Sequence, residues 1–367
     1  MDFKYLEEAC EEDKPLIGKK AKKIIGIVVL SLLVVGAVRF ALLFGNQIIA
    51  AYSVETLEDG FYSMEYKGDY GFDMMLESGG VSDDSELITH IVENLYHNMY
   101  APEVVNGKYG CSTLRATMED GTVLFGRNFD YRHRKAMVVT TEPKDGYKSI
   151  STCNIEFFGM RNSWEPDDFM NKMMALSAVY APVDGMNEKG VCVAVLSVSA
   201  GRTTDQDTDK PDITTTTAVR LILDKAASVD EAIALLEQYD MHASIGGQFK
   251  FALADSTGKS VTVEYINNEM NVVEADACSN FYQTPGLYYG MGLDGPCPRY
   301  AKLMEGYEEY NGKITEDEMM NVMASASQKY FHHNNTQWTV VFNTKDLTAT
   351  YCYFEDFETK YHFDLKD

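Results

Sequence analysis

The stretch from Gly110 to Asp130, Gly-Cys-Ser-Thr-Leu-Arg-Ala-Thr-Met-Glu-Asp-Gly-Thr-Val-Leu-Phe-Gly-Arg-Asn-Phe-Asp, constrains this chain more than any other. Two runs of strand-forming residues flank Asp120-Gly121, the preferred dipeptide of a two-residue type I′ turn, and together they predict a β-hairpin. Pairing Glu119 with Thr122 and counting outward sets Cys111 directly opposite Asp130, with Cβ atoms about 4.5–5.5 Å apart. A cysteine beside a carboxylate is a candidate reactive centre. The same count sets Arg127 across from Leu114, on the other face from Cys111, unless a bulge at Gly126 bends the strand.

The remaining composition limits the partners. A 367-residue chain that is 45% hydrophobic supports a substantial core. Its net charge of -24 argues against nucleic acid or an anionic membrane surface as partner, because both require a basic face. Ile24 to Ala51 is an apolar run interrupted only by Arg39, Asn46, Gln47 and a few small positions, long enough for the roughly 20 residues that cross a bilayer. Lys14, Lys19, Lys20, Lys22 and Lys23 precede it. The positive-inside rule then predicts a cytoplasmic leader over 1–23, a single transmembrane anchor over 24–51, and an outward-facing remainder. The rival reading is a cleaved signal peptide and a secreted product; the long charged leader and the lack of a small-residue cleavage site weigh against it.

Seven cysteines, at 10, 111, 153, 192, 278, 297 and 352, have neither C-x-x-C nor zinc-ligand spacing. Cys192 lies in an apolar run and reads as a small core residue. An exported protein permits a Cys278–Cys297 pair without the spacing demanding it.

Residues 52–110 read as a linker and a helical segment. Glu77 to Ser85 is flexible by composition, and Leu87, Ile88, Ile91, Leu95 and Met99 then share one helical face closed by Pro102. Strands are predicted at 111–117, 122–129, 136–142, 149–158, 191–199, 248–254, 260–266, 271–276, 337–343 and 347–354, several joined by tight turns that favour antiparallel pairing. Helices are predicted at 214–227, 229–239, 299–310 and 316–330, with capping boxes at Ser228–Glu231 and Thr315–Glu318. Antiparallel sheets interrupted by paired helices imply a layered α+β domain.

A cysteine nucleophile needs a base and an oxyanion stabiliser. A papain-like site would use His332 or His333, but such a cysteine opens a helix, whereas Cys111 opens a strand. In the other arrangement the peptide bond before the cysteine is cut and the freed α-amino group is the base. Gly110 offers an unhindered carbonyl for that internal attack.

At this point the sequence resembles the N-terminal-nucleophile hydrolases of the choloylglycine hydrolase and penicillin V acylase type, with their acid ceramidase, N-acylethanolamine amidase and isopenicillin N acyltransferase relatives. The resemblance spans about residues 85 to 354. It rests on Cys111 with Gly126-Arg127-Asn128-Phe129-Asp130, on Gly185-Met186-Asn187-Glu188-Lys189-Gly190, on Ser279-Asn280-Phe281-Tyr282, on Arg299-Tyr300 and on Gln337-Trp338-Thr339-Val340-Val341, in that order.

The resemblance implies a four-layer αββα sandwich of two antiparallel sheets, with a catalytic domain over 111–367 freed by self-cleavage at Gly110-Cys111. It implies cleavage of linear C–N bonds in small N-acyl amides through an acyl-thioester on Cys111, with no cofactor and no metal. Asp130 would hold the α-amino group, Arg127 would support the thiolate, Asn280 would bond the oxyanion through its side-chain amide, and Arg299 would orient Asp130 or the amine. Ser197 stands where bile salt hydrolases carry an asparagine, so it is expected to supply only a backbone donor. The 110 residues ahead of Cys111 resemble the ceramidase and acyltransferase branch, which self-cleaves. Residues 52–110 hold no cysteine, so packing alone would retain that segment.

Bile salt hydrolase, penicillin V acylase or acyltransferase activity on the same thioester are the enzymatic alternatives; an unprocessed, membrane-tethered binding protein is the non-enzymatic one. The cluster of Phe157, Phe158, Met160, Trp164, Phe169, Met170, Met173 and Met174 reads as core, with an apolar acyl pocket as the alternative. His332-His333-Asn334-Asn335 reads as a polar loop.

Overall fold

The computed structural model describes residues 18–105, 109–132, 135–161, 163–198, 201–287, 297–329 and 334–366. The chain divides into two units, 1–45 and 46–367. In the first, the helix that begins at Lys19 exposes its apolar side chains, among them Ile24, Leu30, Leu33 and Leu42. The helix continues to Ser53, and among the described residues it is one helix long and apolar enough to cross a membrane.

The second unit is built on two sheets. The larger has nine strands in the order Glu55–Glu58, Phe61–Lys67, Ala136–Glu142, Ser149–Asn154, Asp184–Asn187, Cys192–Val198, Gln248–Ala254, Ser260–Ile266 and Glu269–Glu274. The smaller has six: Ala277–Cys278, Gly110–Thr117, Val123–Tyr131, Asn335–Asn343, Thr348–Tyr353 and Asp356–Asp364. Helices Thr215–Lys225 and Val229–Leu236 pack on the larger sheet, and Pro298–Glu309 and Glu316–Ser325 on the smaller. The fold is mixed α+β with two sheets.

The larger sheet and the segment ahead of the hairpin depart from expectation. The larger sheet is not wholly antiparallel, because Phe61–Lys67 runs parallel to Ala136–Glu142. The segment expected to be a linker and helix therefore supplies two strands. Its helix is also shorter, running from Asp84 to His90 and continuing as a single wide turn to Leu95. Leu87, Ile91 and Leu95 are buried as expected, whereas Met99 lies beyond the helix and is exposed.

The hairpin differs by one residue, with large effect. Met118 N–H donates to Thr122 O and Gly121 N–H to Met118 O, with Gly121 at φ 86°. The loop thus has three residues, Glu119-Asp120-Gly121, with the left-handed glycine such loops require. Cys111 consequently pairs with Phe129, Gly110 with Asp130, and Thr113 with Arg127. A one-residue change of register exchanges the faces of a strand. Cys111, Arg127 and Phe129 share the inner face, while Leu114, Ala116, Leu124 and Asn128 face the two helices. The predicted Cys111–Asp130 pair is therefore replaced. No bulge at Gly126 is needed to bring Arg127 over: Gly126 pairs regularly with Leu114 and Val341, and an added Cβ would meet Met323 Cγ at 2.8 Å. Its absent side chain admits the helix.

Caps mark the helix starts. Thr315 and Glu318 form a full capping box, whereas Ser228 accepts from Glu231 N–H while the Glu231 carboxylate turns to Ala227 N–H.

Candidate active site

Cys111 sits where the smaller sheet's edge runs out. Its neighbouring strand is two residues long and ends at Cys278, so the backbone groups of Cys111 that point that way have no ladder partner there. Side chains take their place. Cys111 N–H donates to Asn280 Oδ1 at 2.8 Å, and Cys111 O accepts from Arg299 Nη1 at 2.8 Å and from Ser279 Oγ at 3.4 Å.

Arg299, in the first turn of its helix, ties the group together: Nη1 also donates to Asp130 Oδ2 at 2.7 Å and Nη2 to Asn280 Oδ1 at 2.6 Å. Asp130 lies on the helix side of the hairpin, where Gln328 Nε2 and Thr336 Oγ1 each donate to it at 2.6 Å. Although Asp130 and Cys111 are not cross-strand partners, Arg299 links them.

Arg127 reaches the thiol from the other side. Its Nη2 lies 3.4 Å from Cys111 Sγ and 3.1 Å from Val195 O, and its Nε 2.9 Å from Asp184 Oδ2. The guanidinium is fully buried and lies over the rings of Phe129 and Trp338, whose Nε1 donates to the same Asp184 oxygen. Burial raises the Asp184 carboxyl above its ordinary range, and Arg127 opposes that rise. Burial likewise pushes the Cys111 thiol up to about 11, with Arg127 pulling down and Asp130 pushing up.

Asn280 Oδ1 meets two donors, so its amide nitrogen points away, to Ser197 O at 2.6 Å and Ser197 Oγ at 3.1 Å. Ser197 was expected to present a backbone donor; here its carbonyl and hydroxyl face Asn280, and the hydroxyl donates to Tyr109 O. Gly110 is tightly enclosed: an added Cβ would lie 3.1 Å from both Asp130 Oδ2 and Gln328 Nε2. Tyr109 is buried against Phe129, Phe157 and Phe249. It borders an apolar cavity lined also by Leu87, Ile88, Val104 and Ile245.

The structure thus gathers Gly110, Cys111, Arg127, Asp130, Ser197, Asn280 and Arg299. Of the apolar cluster, Phe157, Phe158, Met160, Trp164 and Met173 are buried, while Phe169 and Met170 are exposed. Cys278 and Cys297 are free; the first donates to Gln283 and the second contacts Ser279. His332 and His333 lie outside the described residues. Sequence reasoning missed Asp184, Gln328 and Thr336. Only Asp184 had a signal, a lone acid immediately before the Gly185–Gly190 motif in an otherwise apolar and small run.

The model of the linear amide C-N hydrolases, choloylglycine hydrolase family, matches residues 111–283. Two structures of conjugated bile acid hydrolase variants from Clostridium perfringens are similar in fold. One has a TM-score of 0.51 at 16% identity, covering 70% of this chain and 92% of the other. The second has a TM-score of 0.52 at 15% identity, covering 70% and 93%. A search of curated proteins by sequence finds no match. The family match opens on Cys111 itself: residues 111–283 are similar to the choloylglycine hydrolase family of linear amide C-N hydrolases, and match and fold together support the N-terminal-nucleophile hydrolase superfamily.

Proposed function

We propose that this protein is a self-activating amidase that cleaves the linear C–N bond of small N-acyl amides. One observation carries the reading: the backbone nitrogen of Cys111 is held by Asn280 while its thiol is held by Arg127, so the two atoms such an enzyme uses as base and nucleophile are positioned separately.

In maturation, Cys111 Sγ attacks the Gly110 carbonyl carbon, the Gly110–Cys111 C–N bond breaks, and the nitrogen keeps its own proton and takes the one the thiol gives up, becoming the new α-amine. Water then hydrolyses the thioester, leaving a Gly110 carboxylate and the free thiol. In turnover the α-amine takes the thiol proton as sulfur attacks the substrate carbonyl. That proton passes to the departing amine, and water releases the acid. Asn280 Oδ1 accepts from the amine, Arg299 holds Asn280 Oδ1 and the Cys111 carbonyl, Asp130 fixes Arg299, and Arg127 steadies the thiolate as a nearby cation does. Asn280 Nδ2, which donates to Ser197 in the intact chain, is the donor assigned to the oxyanion. The N-terminal helix is read as an uncleaved anchor with the catalytic unit outside the cell.

Intact-mass measurement of the full chain tests the reading. Two fragments divided before Cys111 in the wild type, one species in Cys111→Ala, and hydrolysis of a chromogenic N-acyl amide panel by the wild type alone are expected. An uncleaved wild type that hydrolyses none of the panel overturns it and favours the binding-protein alternative.

A further inference from the structure

A second buried ion pair lies one strand away from Ser197. Lys250 and Glu264 are cross-strand partners in the larger sheet, both fully buried, with Lys250 Nζ 3.2 Å from Glu264 Oε1. Neither spends its remaining capacity on the sheet. Lys250 Nζ donates to Phe281 O at 2.6 Å and to Gln283 Oε1 at 3.3 Å. Glu264 accepts from Gln283 N–H at 2.7 Å, from Thr284 N–H at 3.0 Å and from Thr284 Oγ at 2.7 Å. The pair therefore grips the backbone of the irregular segment that follows Cys278, at three of the four residues after Asn280.

Burying two charges is costly, and an apolar pair of similar volume is often neutral or more stabilising. Stability alone is thus a poor reason for this pair. Its placement supplies a better one. Asn280 has no regular secondary structure around it, yet its amide must meet Cys111 N, Arg299 and Ser197 simultaneously. The hydrogen bond from Lys250 to Phe281 O falls on the very next residue.

We infer that Lys250 and Glu264 are positioning residues that set the Asn280 side chain against Cys111. The inference rests on the amidase reading for what Asn280 does in turnover. Its structural half stands apart from that reading: without the pair, Phe281, Gln283 and Thr284 lose these buried contacts, and Asn280 moves with them.

The test is the double variant Lys250→Met with Glu264→Met in the full chain, which removes both charges and leaves neither uncompensated. Circular dichroism is expected to show a folded protein. Its crystal structure should place Asn280 Oδ1 outside hydrogen-bond distance of Cys111 N. Turnover of a chromogenic N-acyl amide, per Cys111 titrated by an acylating inhibitor, should fall on the order of 10²-fold in kcat with KM changed less than about threefold, since a mispositioned oxyanion donor acts on the transition state. Loss of folding alone would lower the titrated fraction and leave kcat per site unchanged. Should the double variant not fold, Glu264→Gln, which keeps size and one acceptor, is expected to lower kcat per site in the same direction. An unmoved Asn280 with unchanged kcat per site overturns the inference. A wild type without amidase activity overturns the functional reading instead, and the position of Asn280 in the variant then decides the positioning role by itself.

Discussion

On the proposed reading, Cys111 in the intact chain is a nucleophile held in reserve. Burial disfavours its thiolate more than Arg127 favours it, so with the thiol near 11 the ionised fraction at pH 8 is about one in a thousand. Because this lies above the ordinary thiol value of 9.0, the group's contribution to stability declines as pH rises from there toward about 11. Gly110→Val should slow self-cleavage at least about tenfold in an intact-mass time course, because even a Cβ crowds Asp130 and Gln328. In that uncleaved variant, alkylation of Cys111 by iodoacetamide should be slow at pH 8 and climb steadily with pH. Fast alkylation at pH 7 would contradict the burial argument. Removing the Asn280 amide as Asn280→Ala should lower kcat about 10²–10³-fold, the usual effect of losing one oxyanion donor.

At the scale of the element, the hairpin loop decides which side chains meet. Asp120-Gly121 marks a turn in either loop type, since both require a residue with positive φ there. The dipeptide locates the turn without stating whether the loop has two residues or three, and that single residue exchanges the faces. Deleting Glu119 should leave Met118 opposite Thr122 across a two-residue loop, keep Arg127 on the face of Cys111 and preserve self-cleavage, read as two mass species. Gly121→Ala should instead cost about 1 kcal/mol of stability in a denaturant titration, because only its backbone conformation resists. Cleavage should survive. The strands themselves were legible from their alternation, and the helices from caps such as Thr315 with Glu318.

For the whole molecule, the N-terminal segment is a structural part of the larger sheet. Phe61–Lys67 pairs along its length with Ala136–Glu142, Val81 N–H donates to Asp212 O, and Asp84 accepts from Ile245 N–H at 2.6 Å. After cleavage before Cys111, the two fragments should therefore remain together on size exclusion under native conditions and separate only in denaturant. Release of the smaller fragment in native buffer would contradict the pairing. The alternation in Phe61-Tyr62-Ser63-Met64-Glu65-Tyr66-Lys67 suits a strand, but its partner follows only after a passage through the other sheet. A local reading of sequence has no means of joining them.

What this chain's sequence determined by itself was the set of candidate reactive residues and the order of their motifs, because thiol, carboxylate, cation and amide are properties of residue type. Periodicity, turn residues and caps determined most strands and helices for the same reason: their causes lie within a few residues. The tertiary structure alone decided that Arg127, not Asp130, shares the face of Cys111, that Ser197 meets Asn280 through its carbonyl, and that Asp184, Gln328, Thr336, Lys250 and Glu264 support the site. Those relations depend on strand register, on where an edge strand ends and on which distant loop closes over it, and each is set by packing between segments far apart in the chain.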